Sequence, residues 1–493
     1  MLVILGFSMI TAFMWLIMTK RITPVAALIL VPTIFGLFAG AGFGLSDMIM
    51  EALLKLAPTA ALLFFAITFF GIMIDVGLFD PLIRLILRFV KNDPMRLVVG
   101  TALLTSIVSL DGDGSTTFII VTSAFLPIYL KLRMSPVVLT VVAATANGVL
   151  NTVPWGGSTA RASASLNVSP IDIFVPMIPA ITSGIVAVLV LAYFLGRRER
   201  KRVGQLVLAD GQAEEIVGEP ITVQSEQVVK SEQFAGVGSG SSTPPAFPSD
   251  GGSGPFLGDR DREVSDFADL PLDARNHLHR PKARPKLVWL NCVLTAAVMT
   301  MLVWGLVEPP VILMIGVGLA LVVNFPRVAE QADQLKAHAS SVVSVVALVF
   351  AASVLTGVLN GTGMVEAMAG WLVDVIPTSF GPHLAIIAGV LSIPCTFFMS
   401  NDAFFFGVLP VLTKAASHYG ITAEEMARAS IIGQPLHQSS PLVASFLLLV
   451  GLAKVELGDH MRKAIWRASV VALVMLAVGT LTAAYPFWIK EYS

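Results

Sequence analysis

The chain has 493 residues, of which 55% are hydrophobic and only 13% charged, with a formal net charge of −1 and a mean hydropathy of +0.80. Soluble domains carry about a quarter charged residues, so this composition excludes an ordinary soluble protein and leaves no basic surface for nucleic acid. Cys292 and Cys395 both lie in apolar stretches and read as small buried hydrophobes rather than a disulfide pair.

The opening MLVILGFSMITAFMWLIMTKR lacks a basic leader and an Ala-x-Ala site, so it reads as a first membrane helix rather than a cleaved signal. Apolar runs near the ~20 residues needed to span fall at 2–19, 24–42, 58–77, 171–196, 288–306, 309–325, 341–361 and 463–487. Residues 136–165 and 422–453 are apolar but broken by Asn, Gly and Pro, and each counts as one discontinuous crossing. Residues 96–131 and 382–417 carry polar breaks near their middles, SLDGDGSTT (109–117) and MSNDAFFF (399–406). Irregular polar backbone survives at membrane depth only when buried in protein or lining a wet cavity. These two stretches therefore read as re-entrant hairpins whose tips belong to a transport site. Residues 81–91 place Arg84, Arg88 and Lys91 at helical spacing, as in an interfacial amphipathic helix.

Residues 197–286 open on Arg197-Arg198-Glu199-Arg200-Lys201-Arg202 and run into Gly/Ser/Pro-rich sequence, a flexible solvated linker. His277 and His279 within it read as solvated side chains rather than metal ligands. Around it the chain repeats: Pro24 and Pro310, Gly71 and Gly357, Gly77 and Gly363, and Asp80 and Glu366 share an offset of 286 residues. The expected architecture is an all-α polytopic membrane protein of two inverted repeats, 1–196 and 287–493. Each repeat has five crossings plus one re-entrant hairpin, giving about ten transmembrane helices. With the hairpins counted as non-crossing, most Lys and Arg, including Arg197–Arg202, fall on one side, and the positive-inside rule makes that side cytoplasmic. The linker is then cytoplasmic and both termini external. Lys55, Lys414 and Lys490 are exceptions.

Candidate site residues cluster at the breaks. Asp111 and Asp113 flank Gly112 and offer hard oxygen ligands or proton sites, and Ser115 and Thr116 offer hydroxyl donors. The string resembles the start of a calcium loop, but Thr122 stands at the twelfth position and the setting is apolar. Ser400, Asn401 and Asp402 are the counterpart in the second half, where an intramembrane acid is a functional candidate and the same string also suits a helix cap. Asn151, Thr152, Ser158, Thr159 and Arg161 break the crossing at 136–165, and Arg161 could clamp a carboxylate or snorkel to the interface. Ser439 and Ser440 are the second-half hydroxyls, and His437 could carry a coupling proton or be a hydrogen-bonded structural His. Asp75 reads as a helix-end acid and Phe404-Phe405-Phe406 as hairpin packing.

SLDGDGSTT, NTVPWGGSTAR, GIMIDVGLFDPLIR and the MTKR close of the first helix together resemble the bacterial metal–citrate/proton symporter family (CitMHS) of the ion transporter superfamily. The resemblance covers nearly the whole chain outside 197–286. It implies uptake of citrate complexed with a divalent cation of Mg or Ca type, driven by protons, across the bacterial cytoplasmic membrane. It also implies no permanently bound cofactor, and a homodimer whose transport domains move against a fixed scaffold. On that reading Asp111, Asp113, Asp402 and His437 serve metal or proton, while Arg161 and the hydroxyls face carboxylates. The competing readings are a cation/proton antiporter, or another di/tricarboxylate or oxyanion carrier of the superfamily. An intramembrane zinc hydrolase would need H-E-x-x-H, which does not occur, so an enzyme is not expected; nor is a channel.

Overall fold

The structure, a computed structural model, describes residues 1–19, 21–81, 85–86, 90, 93–112, 114–214, 283–304, 307–377 and 379–487, excepting the side chains of 18, 111, 205–214 and 303. Contacts divide the chain into two compact units, Arg202–His277 and the remainder. Everything below concerns the remainder, apart from the C-terminal end of the helix Pro170–Glu214. The interfacial stretch 81–91 lies largely outside the described residues, as do Asp113, His277, His279 and most of the linker.

The described residues contain helices and no strand. In chain order the first half comprises α1 (Leu2–Met18), α2 (Pro24–Phe38), α3 (Gly44–Asp75), α4 (Pro94–Val108), α5 (Gly114–Lys131), α6 (Pro136–Leu150), α7 (Gly157–Leu166) and α8 (Pro170–Glu214). The second begins with α9 (Val288–Trp304), α10 (Pro309–Asn324), α11 (Val328–Ala337), α12 (Ala339–Gly361), α13 (Met364–Val375) and α14 (Leu384–Phe398). A π-helical turn (Ala403–Val408) leads into α15 (Leu409–Ser417), followed by α16 (Ala423–Ser430), α17 (Gln434–His437), α18 (Ala444–Leu452) and α19 (Leu457–Leu481). Seven of these helical stretches are long and apolar enough to cross a membrane, and six shorter apolar helices accompany them.

Local chemistry sets the boundaries. Thr23 accepts from Ala26 N ahead of Pro24, Asp93 accepts from Met95 N ahead of Pro94, and Thr422 with Glu425 forms a capping box. Each satisfies backbone donors that a starting helix leaves open, and proline at the first helical position lacks only a donor that would be orphaned anyway. The hairpin arm α4 has 15 residues. At 1.5 Å per residue that is about 22 Å, short of the ~30 Å hydrocarbon core. The π-helical turn precedes Pro410. Proline has no N–H and its ring crowds the carbonyl four residues back, so a widened turn there is the local answer.

Four features depart from the sequence reading. α3 starts at Gly44 rather than near 58, because Asp47, Glu51 and Lys55 sit on an amphipathic extension where Lys55 pairs with Glu51 at 2.7 Å. The second half splits the same region into α11 and α12 at His338. α8 stays helical to Glu214, past residue 197, since its Arg, Lys and Glu are good helix formers. The last helix starts at Leu457, six residues before the expected run.

The halves pack on each other throughout. α3 lies against α12 and α10, and α2 against α12. α5 packs on α18, α7 on the π-helical turn and α15, and α6 on α17 and α19. Where α6 meets α17, a Cβ on Gly148 would lie 2.5 Å from the Gln434 carbonyl; where the turn before α17 meets α14, one on Gly433 would lie 2.3 Å from the Ser392 carbonyl. Only glycine permits backbone to touch backbone at these crossings.

Candidate functional site

The first broken crossing is held open by its own polar groups. Between α6 and α7, Asn151 Oδ1 accepts from Gly157 N at 3.0 Å, and the Ser158 hydroxyl donates to the Asn151 carbonyl at 2.7 Å. Thr159 donates to the Thr152 carbonyl at 3.0 Å and Thr152 to the Val149 carbonyl at 2.6 Å. Proline and paired glycines free these carbonyls from the helical ladder, and buried carbonyls need donors. Thr152, Ser158 and Thr159, expected to face substrate, are fully buried and answer that need.

The second broken crossing is closed more tightly. Ser440 donates to the Phe397 carbonyl at 2.6 Å, and Ser439 lies 3.1 Å from Nε2 of His460. The other ring nitrogen of His460 lies 3.0 Å from the Thr140 hydroxyl on α6. His437 Nδ1 donates to the Thr396 carbonyl at 2.5 Å, since a carbonyl can only accept. His437, Gln438, Ser439 and Ser440 are all buried. These donors are therefore engaged with the protein on the α14 and α19 side.

What the structure brings together is a cluster between the first broken crossing and the second hairpin tip. Arg161 Nε donates to Asp402 Oδ1 at 2.5 Å, and its Nη1 donates to the Gly157 carbonyl at 2.8 Å. Their side chains keep 25% and 11% of their surface, so the pair is accessible from a crevice but poorly solvated. Beside it, Gln434 accepts from Asn151 at 3.0 Å and exchanges reciprocal bonds of 3.2 Å with Asn401. Ser400 caps the tip, accepting from Ala403 N at 3.2 Å. Ser165 on α7 donates to the Phe405 carbonyl of the π-helical turn. Phe404, Phe405 and Phe406 are fully buried behind the tip.

The first hairpin tip is tied to the same loop from another direction. Asn147 donates to Ser109 at 2.8 Å, and the Trp155 indole donates to the Leu110 carbonyl at 2.7 Å while stacking on Phe70 of α3 at 4.2 Å. The turn closes through Gly112 at φ 80°, directly under Trp155. Ser115 and Thr116 are half-buried at the start of α5, each with a partner of its own. Asp111 contributes its backbone to the turn; its side chain and all of Asp113 lie outside the described residues. Among the described residues no three His, Cys, Asp or Glu side chains gather as a metal cluster.

Sequence reasoning passed over Gln434, Asn147, Trp155 and His460 as site-forming residues. Gln434 had one signal available: it lies 286 residues after Gly148, at the start of the matching break.

A helical membrane protein with two interrupted crossings and two hairpins around a charged crevice belongs to the class of membrane transporters. The chain belongs to the citrate transporter family (CitMHS), which it matches over residues 13–433. It is 44% identical to a citrate transporter of Bacillus subtilis (strain 168) over 487 residues, 99% of this chain and 100% of that protein. It is 42% identical to a Mg(2+)/citrate complex secondary transporter of the same strain over 485 residues, 98% of this chain and 99% of that one. Among solved structures, the Alcanivorax borkumensis YdaH transporter aligns over 90% of each chain at 12% identity, with a TM-score of 0.48.

Proposed function

We propose that this chain is a secondary carrier that brings citrate, complexed with a divalent cation, across the bacterial cytoplasmic membrane together with protons. The observation that carries this reading is the Arg161–Asp402 bond, which joins the two halves inside a crevice. Arg161 is the cation suited to a carboxylate, and in the resting structure Asp402 holds that place. A substrate carboxylate would take over Arg161, and the displaced Asp402 carboxylate would accept a proton. Free citrate is a triply charged anion, whereas its complex with a divalent cation carries a single negative charge. One arginine matched to one monoanion, with Asp402 neutralised, leaves the Arg161 side of the crevice without net charge. Asn151, Gln434 and Asn401 set the distance between the two sides of the crevice, and Ser115, Thr116 and Ser400 sit at the hairpin ends. Asp111 and Asp113 are the candidates for facing the metal. No resident cofactor takes part.

The inverted arrangement of residues 1–196 and 287–493 is part of this proposal. It is supported by the packing of equivalent elements on each other, α3 on α12 and α6 on α17. So are the cytoplasmic linker at 197–286, the external termini and the homodimer, which follow from the charge distribution and the family. Binding at one crevice made of both halves, with each half supplying one hairpin and one broken crossing, suits alternating access.

The test is uptake of labelled citrate into proteoliposomes across a panel of divalent cations and imposed pH gradients. Uptake that requires a metal and grows with an inward proton gradient is expected. Uptake that is indifferent to both would leave a citrate carrier of another coupling, and absence of citrate uptake under every metal would overturn the substrate.

A further inference from the structure

His460, the fourth residue of α19, is fully buried where the two halves meet. Its ring lies between two buried hydroxyls. Thr140 on α6 is 3.0 Å from Nδ1, and Ser439 in the second broken crossing is 3.1 Å from Nε2. Phe446 of α18 covers the ring, with 4.6 Å between centroids. A neutral imidazole has one donor nitrogen and one acceptor. The Thr140 hydroxyl donates to the Val137 carbonyl at 3.0 Å, so its single proton is committed and toward the ring it accepts. Nδ1 therefore carries the ring proton, and Nε2 accepts from Ser439. The hydrogen-bond network selects one tautomer and gives both hydroxyls fixed roles.

α6, α17 and α19 pack on one another pairwise. Along α6, Thr140 and Asn151 are eleven residues apart, about three turns and about 16 Å, so they stand within about 20° of one line along the helix. Asn151 donates to Gln434, the first residue of α17, at the crevice. Thr140 reaches Ser439, five residues after Gln434, through His460. Between these two points Gly148 lies against the Gln434 carbonyl and Pro435. Van der Waals contact of that kind sets how closely the two crossings approach, but not where one stands along the other. Hydrogen bonds are directional and fix that register. His460 supplies them at the end away from the crevice.

We infer that His460 is a positioning residue for substrate binding. As the Nδ1–H tautomer it pins the second broken crossing to α6, and so holds Gln434 and Asn151 in register at the crevice. It acts through those two amides and touches no substrate itself. His437, by contrast, bonds the Thr396 carbonyl of its own half. The inference rests on the crevice being the binding site.

The experiment joins nitrogen NMR of the full chain in liposomes, with isotope-labelled histidine, to citrate uptake by variants. In the difference between wild type and His460→Gln, Nδ1 should appear protonated and Nε2 unprotonated, and Ser439→Ala should move the Nε2 line. His460→Leu, which fills the space without bonding, should raise KM for citrate about ten-fold, and Thr140→Val about three-fold, as expected for two and for one neutral hydrogen bond. His460→Gln, whose amide can accept from Ser439, should fall between wild type and His460→Leu; a packing role alone would favour Leu. Thr140→Val keeps the side-chain shape, so its KM decides the matter even where His460→Leu fails to fold. The opposite tautomer, or an unchanged KM in the His460 and Thr140 variants beside a transport defect in Arg161→Gln, would overturn the positioning role alone. Normal transport by all of them, Arg161→Gln included, would overturn the crevice reading with it.

Discussion

The two broken helices are both rich in hydroxyls, and their polar groups go to different partners. Around Asn151–Arg161 the loop satisfies its own carbonyls, and one guanidinium is left facing the crevice. Around Gln434–Ser440 the polar groups are buried, and His437, Ser439 and Ser440 are bonded to α14 or α19. The sequence offers hydroxyls at both, Ser158 and Thr159 in one and Ser439 and Ser440 in the other, and implies similar roles. Burial separates them: one loop leaves a guanidinium partly accessible, and the other is held against the helices around it.

The largest effect that could break this contrast is at Arg161. Arg161→Gln should lower citrate uptake about 100-fold or more, as expected for loss of one partner from a poorly solvated charged pair. Arg161→Lys should rescue little, because an ammonium lacks the planar fork. Near-normal uptake by the Gln variant would show that the first loop is not the one that meets substrate. Next comes Asp402→Asn, expected to reduce uptake about ten-fold and, more tellingly, to flatten its response to an imposed pH gradient. A variant that keeps full proton dependence would remove Asp402 from coupling. Gln434→Ala unpairs two asparagines and should cost about ten-fold in uptake together with a clear fall in melting temperature, since buried amides left unpaired cost about 1–3 kcal/mol.

Ser440→Ala sharpens the contrast from the other side. It should lower stability by about 1 kcal/mol, read as a small fall in melting temperature, with an unchanged KM for citrate. A raised KM would return the second loop to the binding surface. The smallest effect is at the base of the first hairpin, where Asp93 bonds Arg200 and lies 3.5 Å from Arg96. Burial raises the Asp93 carboxyl, but the Arg200 guanidinium, with help from Met95 N and Arg96, outweighs it and holds the group below the usual carboxylate range. A lowered folded value means the contribution is present above the unfolded pKa of about 3.9 and fades as pH falls through the folded one. Below about pH 4, wild type should therefore converge on Asp93→Asn in melting temperature, from a difference under about 1 kcal/mol at neutral pH.

Much of the helical order was legible because apolar length and proline placement dominate it: Pro24, Pro94, Pro136 and Pro309 each open a helix. The two hairpin turns were legible because polar residues in membrane-grade sequence have few permitted explanations. The α3 extension was harder to see, since an interfacial amphipathic arm lacks the hydropathy of a span. The Arg161–Asp402 pairing was not legible, as nothing local links residues 241 apart in sequence. The partition of hydroxyls between site and brace was equally hidden. Serine at a break reads the same whether its acceptor is a ligand or a carbonyl such as that of Phe397.

That separation of 241 residues also has a history in synthesis. At about 5–20 residues per second on the ribosome, Arg161 is made roughly ten to fifty seconds before Asp402 exists. Until then the Asp402 carboxylate that Arg161 meets in the folded chain is missing. The Gly157 carbonyl, 2.8 Å from Nη1 and made four residues before the arginine, is a partner that its own half supplies from the start.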